Sequence, residues 1–337
     1  MIRMMRNYRN RYRKLLAFLK MEQTRSPKPF SEKSLLLKGF FSQKKELYPF
    51  EKYDYSLFLT DWEIEFFIGA IGEHRPKSAL SDKLYFNLLL QGESNPQFIG
   101  LIDENGFRSF SGCKTLNEGF QTYGRLICKP QKGNGGKGIR FVTKGDECRV
   151  DAPHIIEAPI TPDSYARDIF PGSLNTIRVI TLRDNDGAFI AGAAHRFGTN
   201  RTGYIDSFSK GGIAAGIDTE SGEMAAGRSN PGIYADTHHD RHPDTDKPIK
   251  NVMIPRWQEV KRLALGLSDR FPKIYYVGWD IAITPDRVIV IEGNPGVANP
   301  NLIQANRPLL IDQRTAEFMV SQGVISRSKA ARAYAHR

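Results

Sequence analysis

The chain has 337 residues, a quarter of them charged, and a formal net charge of +11. That length suits two or three subdomains around one site, and the composition excludes a disordered or fibrous chain. The positive balance points to anionic ligands: nucleotides, acidic sugars, a membrane surface or nucleic acid. Cys113, Cys128 and Cys148 form no CxxC or other zinc spacing, so a disulfide framework is not expected and a reducing cytosol is. No apolar run is long enough to span a bilayer, and the N-terminus lacks the apolar core of a signal peptide. The expected location is cytoplasmic.

Residues 1 to 20 are basic and acid-free, with Arg3, Arg6, Arg9, Arg11, Arg13, Lys14 and Lys20. Met4, Met5, Tyr8, Tyr12, Leu15, Leu16, Phe18 and Leu19 interleave at helical spacing. The plainer expectation is a helix that packs on the body and exposes its arginines. The alternative is a basic amphipathic helix resting on an anionic membrane face. Gln23 to Lys33 reads as a linker, and Asp61 to His74 as a core-packed helix. Ser81-Asp82-Lys83 opens another helix, with Ser81 as N-cap, an apolar face of Leu84, Leu88 and Leu89, and Gly92 as the stop.

Arg125 to Lys129 and Gly138 to Thr143 read as strands flanking Pro130-Gln131-Lys132-Gly133-Asn134-Gly135-Gly136-Lys137. Gly133, Gly135 and Gly138 satisfy GxGxxG by spacing. A strand rather than a helix follows, so a dinucleotide-binding turn is excluded. What remains is a glycine-rich hairpin tip whose backbone amides can close over phosphates, flanked by Lys129 and Lys137. His154 to Ile160 is a short strand containing Glu157, followed by a proline-broken hinge. Asn175 to Leu182 and Ala188 to Arg196 pair across an Asn185-Asp186-Gly187 turn, placing Arg178 and Arg196 on neighbouring strands. Lys210 precedes the Gly211-Gly212 pair.

Ala235 to Lys250 is polar and holds His238, His239 and His242. A lid or specificity loop is the expectation there, since nothing in the spacing fixes a metal geometry. Trp257 to Leu267 reads as a helix, Thr315 to Gly323 as the terminal helix, and the basic tail after it as disordered. Between them lie two apolar β-branched runs, Val277 to Thr284 and Arg287 to Pro295, joined by a Pro285-Asp286 turn and expected to pair as antiparallel strands. Asp280 and Glu292 then fall on neighbouring strands, and the strand period of two sends Asn294 to the face of Glu292. Two carboxylates and an amide oxygen on one spot make a hard-oxygen site suited to magnesium carrying a nucleotide's phosphates.

The order of these features resembles the ATP-grasp superfamily across roughly residues 78 to 306. It runs from Asp82-Lys83 through Lys129, the glycine hairpin, Glu157 and Arg178 to a Gly-Gly loop and the Asp280, Glu292, Asn294 ending. Asn175 to Arg178, His195 to Gly198, Ser209 to Gly212, His242 to Thr245, Ile254 to Trp257 and Gly278 to Asp280 look like the sugar-transfer-associated, or α-L-glutamate ligase-like, branch. The resemblance implies an α+β ATP-grasp fold with two α+β subdomains clasping ATP between antiparallel sheets. The expected divisions are a helical basic extension (1–77), a flap subdomain (78–160), a metal and substrate subdomain (161–325) and a basic tail (326–337).

It further implies an ADP-forming carboxylate–amine ligase that works through an acyl phosphate. On this resemblance Asp280, Glu292 and Asn294 hold Mg2+. Lys83 and Lys129 contact the phosphates of ATP, under a flap of Gly133, Gly135, Gly136, Lys137 and Gly138. Residues around Glu157, Ile160 included, meet adenine, and Glu157 or Asp163 meets the ribose. Arg178 stabilises the acyl phosphate, with Arg196 and Lys210 as lesser candidates. The branch implies an amino acid as amine and a uronic acid of a surface-polysaccharide precursor as carboxylate. An amino-acid or peptide ligase is the nearer alternative, and a non-catalytic polyanion- or membrane-binding protein the farther one. A nucleic-acid partner is not expected, because the basic residues are dispersed.

Overall fold

The computed structural model describes residues 2–90, 94–133, 135–146, 152–296 and 298–336, without the side chains of residues 2–9 and 75. The expected helix stop at Gly92, and Cys148, lie outside the described residues.

Two antiparallel sheets carry the structure. The first comprises β1 (Phe98–Asp103), β2 (Gly106–Ser109), β3 (Arg125–Pro130), β4 (Arg140–Thr143) and β5 (His154–Glu157), in the order β2-β1-β5-β3-β4. Alternation along β3 fixes its two faces. Leu126 and Cys128 are buried with Ile99, Val142 and Ile156, while Arg125, Ile127 and Lys129 face the other way.

The second sheet comprises β6 (Ile177–Asp184), β7 (Gly187–Phe197), β8 (Ile213–Ile217), β9 (Met224–Arg228), β10 (His238–His239), β11 (Tyr276–Ile283) and β12 (Val288–Pro295). Its order is β10-β9-β8-β7-β6-β11-β12. Val179, Val277 and Ile281 pack toward helix Trp257–Arg270 through Val260, Ala264 and Leu267. On the opposite face Ile180 and Tyr276 meet Phe40, Tyr48 and Phe58 from the N-terminal region and Leu302, Phe318 and Ala330 from the C-terminal region. Arg178 and Asp280 share that face by strand period, farther along the same two strands.

The structure corrects several sequence expectations. Helix Ile2–Arg25 runs through part of the expected linker, because its last turns are anchored. The Phe18 ring lies 4.9 Å from Phe41 and 5.7 Å from Trp62. Buried Glu22 accepts the backbone N–H of Phe30 at 2.8 Å. Removing residues 1 to 20 would therefore take a core side chain with it. Phe18→Ala should cost about 3–5 kcal/mol, whereas exposed Leu16→Ala should cost under about 0.5 kcal/mol, as denaturant midpoints would register.

The expected helix from Asp61 to His74 ends at Phe66. A Thr60/Glu63 capping box starts it, a short 3-10 turn Ile68–Ala70 follows, and a separate helix occupies His74–Ser81. Ser81 belongs to that helix. The cap of the next one, Lys83–Leu90, is Asp82, whose Oδ1 accepts the Leu84 N–H at 3.0 Å. Its buried face is Phe86, Asn87 and Leu90, with Leu88 and Leu89 exposed. The tail is ordered: helix Arg327–Ala335 starts at a Ser326 cap, buries Ala330 and Ala333, and joins Lys329 to Glu63 at 2.5 Å.

The stretch from Ala235 to Lys250 is pinned down, contrary to the lid expectation. His242 is buried, stacks on Phe170 and lies 2.8 Å from the Gly198 carbonyl through Nε2. His239 meets Ser229 Oγ at 3.0 Å, and His238 meets Arg228 at 2.7 Å. Each histidine has its own structural partner, and no group of three His, Cys, Asp or Glu suited to a metal ion occurs among the described residues.

Candidate active site

A cleft of about 860 Å³ opens between the two sheets. One wall is the outward face of β3 and β4, with Arg125, Ile127, Lys129 and Phe141. The facing wall is the second sheet, where three neighbouring strands set their charges in one row. Asp280 on β11 is directly opposite Arg178 on β6 and Glu292 on β12. A β-bulge opposite the Asp280–Ile281 step lets consecutive residues Ile291 and Glu292 both face the cleft.

Asp280 is fully engaged on its arginine side. Arg178 donates through Nε to Oδ1 at 2.5 Å and through Nη2 to Oδ2 at 3.1 Å, and Arg196 Nη2 lies 3.1 Å from Oδ2. Burial alone would raise this carboxyl, but Arg178 and then Arg196 overcome it and hold the group at about 2. Arg178 also donates to the Ala298 carbonyl at 2.6 Å, tying β6 to the segment that follows β12. Arg196 is shared further: its Nη2 lies 3.4 Å from Asp206, whose Oδ2 accepts the Thr176 N–H and hydroxyl at 2.6 Å each.

Glu292 is the opposite case. Burial first, and then the neighbouring Asp280, raise its carboxyl above the usual range. Asn294 Nδ2 donates to Glu292 Oε1 at 3.1 Å, which sets the amide beside that carboxylate in the cleft wall. A recessed carboxylate on which burial and Asp280 outweigh the pull of Lys83, beside an amide group and a second carboxylate, is a donor set that a hard divalent cation completes. A carboxylate offers about four lone-pair sites and Asp280 spends three on arginine, so it retains one for such an ion. The residues therefore fit Mg2+.

The other expected phosphate ligands converge from the first sheet. Lys83 donates to the Gly133 carbonyl at 2.7 Å, and burial lowers its ammonium group while Glu292 draws it back up. Lys129 reaches the cleft but is held at 2.5 Å by buried Glu157, which also accepts from Asn87 at 3.1 Å. The glycine tip bends through backbone that only glycine adopts freely. Gly136 (φ +70°) packs on Ile205, and Gly138 (φ +73°) has no room for a Cβ, which would sit 2.7 Å from Pro130. Gly135, Gly136 and Ile160 line the cleft.

Four expected contacts differ. Glu157 shares the sheet face of Ile127 but is buried, its carboxylate taken up by Lys129 and Asn87 rather than lining the cleft. Asp163 caps helix Ser164–Ile169 by accepting the Tyr165 N–H at 3.1 Å. Lys137 is exposed on the tip, and Lys210 faces solvent where the 3-10 turn Phe208–Lys210 ends at left-handed Gly211. Neither side chain is part of the cleft wall, which Ser207 and Ser209 line instead.

Sequence reading missed Arg125, Asp206, Tyr204 and Phe141. Strand alternation from Lys129 predicts Arg125 on the cleft face. The other three depend on long-range packing: Tyr204 donates to the Ile139 carbonyl at 2.6 Å and meets Phe141 at 5.6 Å, joining the second subdomain to the flap.

Residues 147–313 match the family model described as Sugar-transfer associated ATP-grasp. No curated protein is a sequence match to the chain. D-alanine–D-alanine ligase from Bacillus anthracis is similar over 78% of this chain and 73% of its own, at 14% identity and a TM-score of 0.43. D-alanyl-alanine synthetase A from Vibrio cholerae O1 biovar eltor is similar over 75% of this chain and 67% of its own, at 14% identity and a TM-score of 0.46. N5-carboxyaminoimidazole ribonucleotide synthetase from Thermotoga maritima covers 69% of this chain at 11% identity and a TM-score of 0.38, and the chain spans 49% of its length. Residues 147–313, just under half of the chain, carry the sequence pattern of the sugar-transfer associated ATP-grasp family.

Proposed function

We propose that the protein is an ATP-dependent carboxylate–amine ligase that forms an amide bond and releases ADP and phosphate. The observation that carries this reading is Glu292, a recessed carboxylate beside Asn294 and Asp280 whose charge Lys83 offsets only in part, in a cleft that Lys129 also lines. A carboxylate oxygen of the acceptor attacks the γ-phosphorus, the bond to the β-phosphate oxygen breaks, and ADP leaves. The amine nitrogen then attacks the acyl carbon, phosphate departs and the amine loses a proton.

Glu292, Asn294 and the remaining lone pair of Asp280 would hold Mg2+, which when bound neutralises phosphate charge and orients the transferring group. Lys83 and Lys129 supply positive charge from the opposite wall. Arg178 and Arg196, fixed by Asp280 and Asp206, stand preorganised toward oxygens that gain charge during transfer. Gly135 and Gly136 close over the phosphates and exclude water. Adenine fits between Ile127, Ile160 and Ile291, whose apolar side chains line both walls.

The carboxylate is proposed to be a uronic acid of a surface-polysaccharide precursor and the amine an amino acid. An amino-acid or peptide ligase is the second reading, favoured by the same carboxylate row, which is indifferent to what the acyl group is attached to. A degenerate, non-catalytic fold is disfavoured by the presence of Asp280, Glu292 and Asn294 together. A cytoplasmic location, and contact of residues 1–20 with an anionic membrane face or polysaccharide, belong to the same proposal.

The test is nucleotide product analysis with ATP, Mg2+, pooled amino acids and pooled uronic acids or their nucleotide-linked forms. ADP and phosphate should appear only when both pools are present. Release with amino acids alone favours the second reading, and AMP as product overturns the acyl-phosphate route.

A further inference from the structure

Helix Ile2–Arg25 has two apolar faces, and the body of the protein uses one of them. The body-facing line is Lys14, Phe18, Met21 and Glu22. Phe18 and Glu22 are buried, and the Lys14 ammonium sits 4.3 Å over the Phe67 ring. At 3.6 residues per turn, Tyr12, Leu15, Leu16 and Leu19 fall on a second line about a third of a turn away. Tyr12 is 63% exposed, Leu15 47% and Leu16 49%, while Leu19 is half-buried, so the first three belong to no buried core among the described residues. Arg13 and Lys20 lie beside it and are exposed, as is Arg11. The first twenty residues contain no acid.

A second basic helix is linked to the N-terminal one through a shared neighbour. Helix Asp61–Phe66 bonds to the N-terminal helix through Glu65 and Arg25, and its Glu63 takes Lys329 of helix Arg327–Ala335. Arg327 and Arg332 of that helix are exposed.

We propose that this face docks on an anionic lipid bilayer, with Tyr12, Leu15 and Leu16 entering the headgroup–acyl boundary and the arginines and lysines meeting lipid phosphates. Charge selects an anionic partner. The exposed apolar line selects a bilayer over a soluble polyanion, because a polyanion offers no apolar phase to receive three large side chains. The helix is anchored to the body through Phe18 and Glu22, so docking needs no unfolding of the core. Bound in this way, the protein works on the cytoplasmic face, next to any acceptor carried on a lipid. The docking itself is independent of the ligase reading.

The test is flotation of the full chain with phosphatidylcholine vesicles, with and without phosphatidylglycerol. The protein should float with the anionic vesicles only and be released by salt. Leu15→Asp/Leu16→Asp should weaken this at least tenfold while thermal midpoint and ATP turnover with soluble substrates stay unchanged. Arg11→Glu/Arg13→Glu should weaken it with the same two controls intact. No flotation of the wild type overturns the proposal. So does equal binding by the Leu15→Asp/Leu16→Asp variant, with dextran sulfate competing fully, which identifies a polyanion surface. A concentration-dependent dimer that this variant abolishes, without vesicle binding, assigns the face to a second copy. Loss of ATP turnover in every variant and in the wild type would leave the flotation result untouched, so the two readings fail separately.

Discussion

Glu292→Gln should abolish ADP formation, by about 1,000-fold or more, while leaving the thermal midpoint unchanged or slightly raised. The sign of the stability effect follows from the electrostatics. Burial and Asp280 push the Glu292 carboxyl up, so its surroundings disfavour the ionised form. The amide keeps shape and one acceptor oxygen, and removes the charge that the fold must otherwise tolerate. What it cannot do is balance a divalent cation. A single missing charged ligand in a phosphoryl-transfer site is worth several kcal/mol, and each 1.4 kcal/mol is roughly tenfold in rate.

The same raised carboxyl gives a pH dependence. A proton competes with the cation at Glu292, so affinity for Mg2+ should fall as pH drops through the raised Glu292 pKa and recover above it. Isothermal titration of the wild type and Glu292→Gln with Mg2+ and a non-hydrolysable ATP analogue, across mildly acidic to neutral pH, checks this. A folded variant with wild-type ADP release, or a cation affinity that ignores pH, removes Glu292 from the metal set.

The hairpin that carries this site was legible in the sequence because both of its signals are local. Val277 to Ile283 and Val288 to Ile291 are β-branched runs around a Pro-Asp turn, and strand period alone puts Glu292 and Asn294 on one face. The register that sets Asp280 opposite Glu292 was not legible: counting back from the turn pairs Asp280 with Ile291, and the bulge at that step moves the partner to Glu292. Arg178 was legible as a strand residue, but its bidentate grip on Asp280 was not, since nothing local says that β6 is the third strand of the row.

Where sequence reading failed, tertiary burial was the cause. The C-terminal tail is basic, yet every third or fourth residue is small enough to pack, and Ala330 and Ala333 are buried against the core. The polar His238 to His242 stretch looked like a lid because its partners, Gly198, Ser229 and Phe170, are distant in sequence. Glu157 looked like a ligand contact, whereas its carboxylate is taken up by Lys129 and Asn87. The hairpin β1–β2 turns through Glu104-Asn105 into Gly106, a short signal that one apolar strand and one exposed strand flank only weakly.

Arg178→Met should be the most destabilising substitution in the cleft, by about 3–5 kcal/mol, because it leaves the buried Asp280 carboxylate with only Arg196 and frees the Ala298 carbonyl. Adding Asp280→Asn to it should recover much of that stability, since the uncompensated charge goes with it, and recover none of the turnover. The sign of the pH effect is fixed by the direction of the Asp280 shift. Its carboxyl is held at about 2 in the folded chain against an ordinary 3.8. A depressed acid stabilises the fold above its unfolded value and loses that contribution as pH falls through its folded value. The shift is worth about 2–3 kcal/mol at neutral pH. Wild type should therefore exceed Asp280→Asn in unfolding free energy by a constant margin above about pH 4. Below that the margin should narrow toward pH 2. Urea titrations at a series of pH values read the difference between the two chains directly and cancel the other carboxylates. A margin that stays flat down to pH 2 would mean that the arginines do not hold Asp280 ionised, and the preorganisation assigned to Arg178 would go with it.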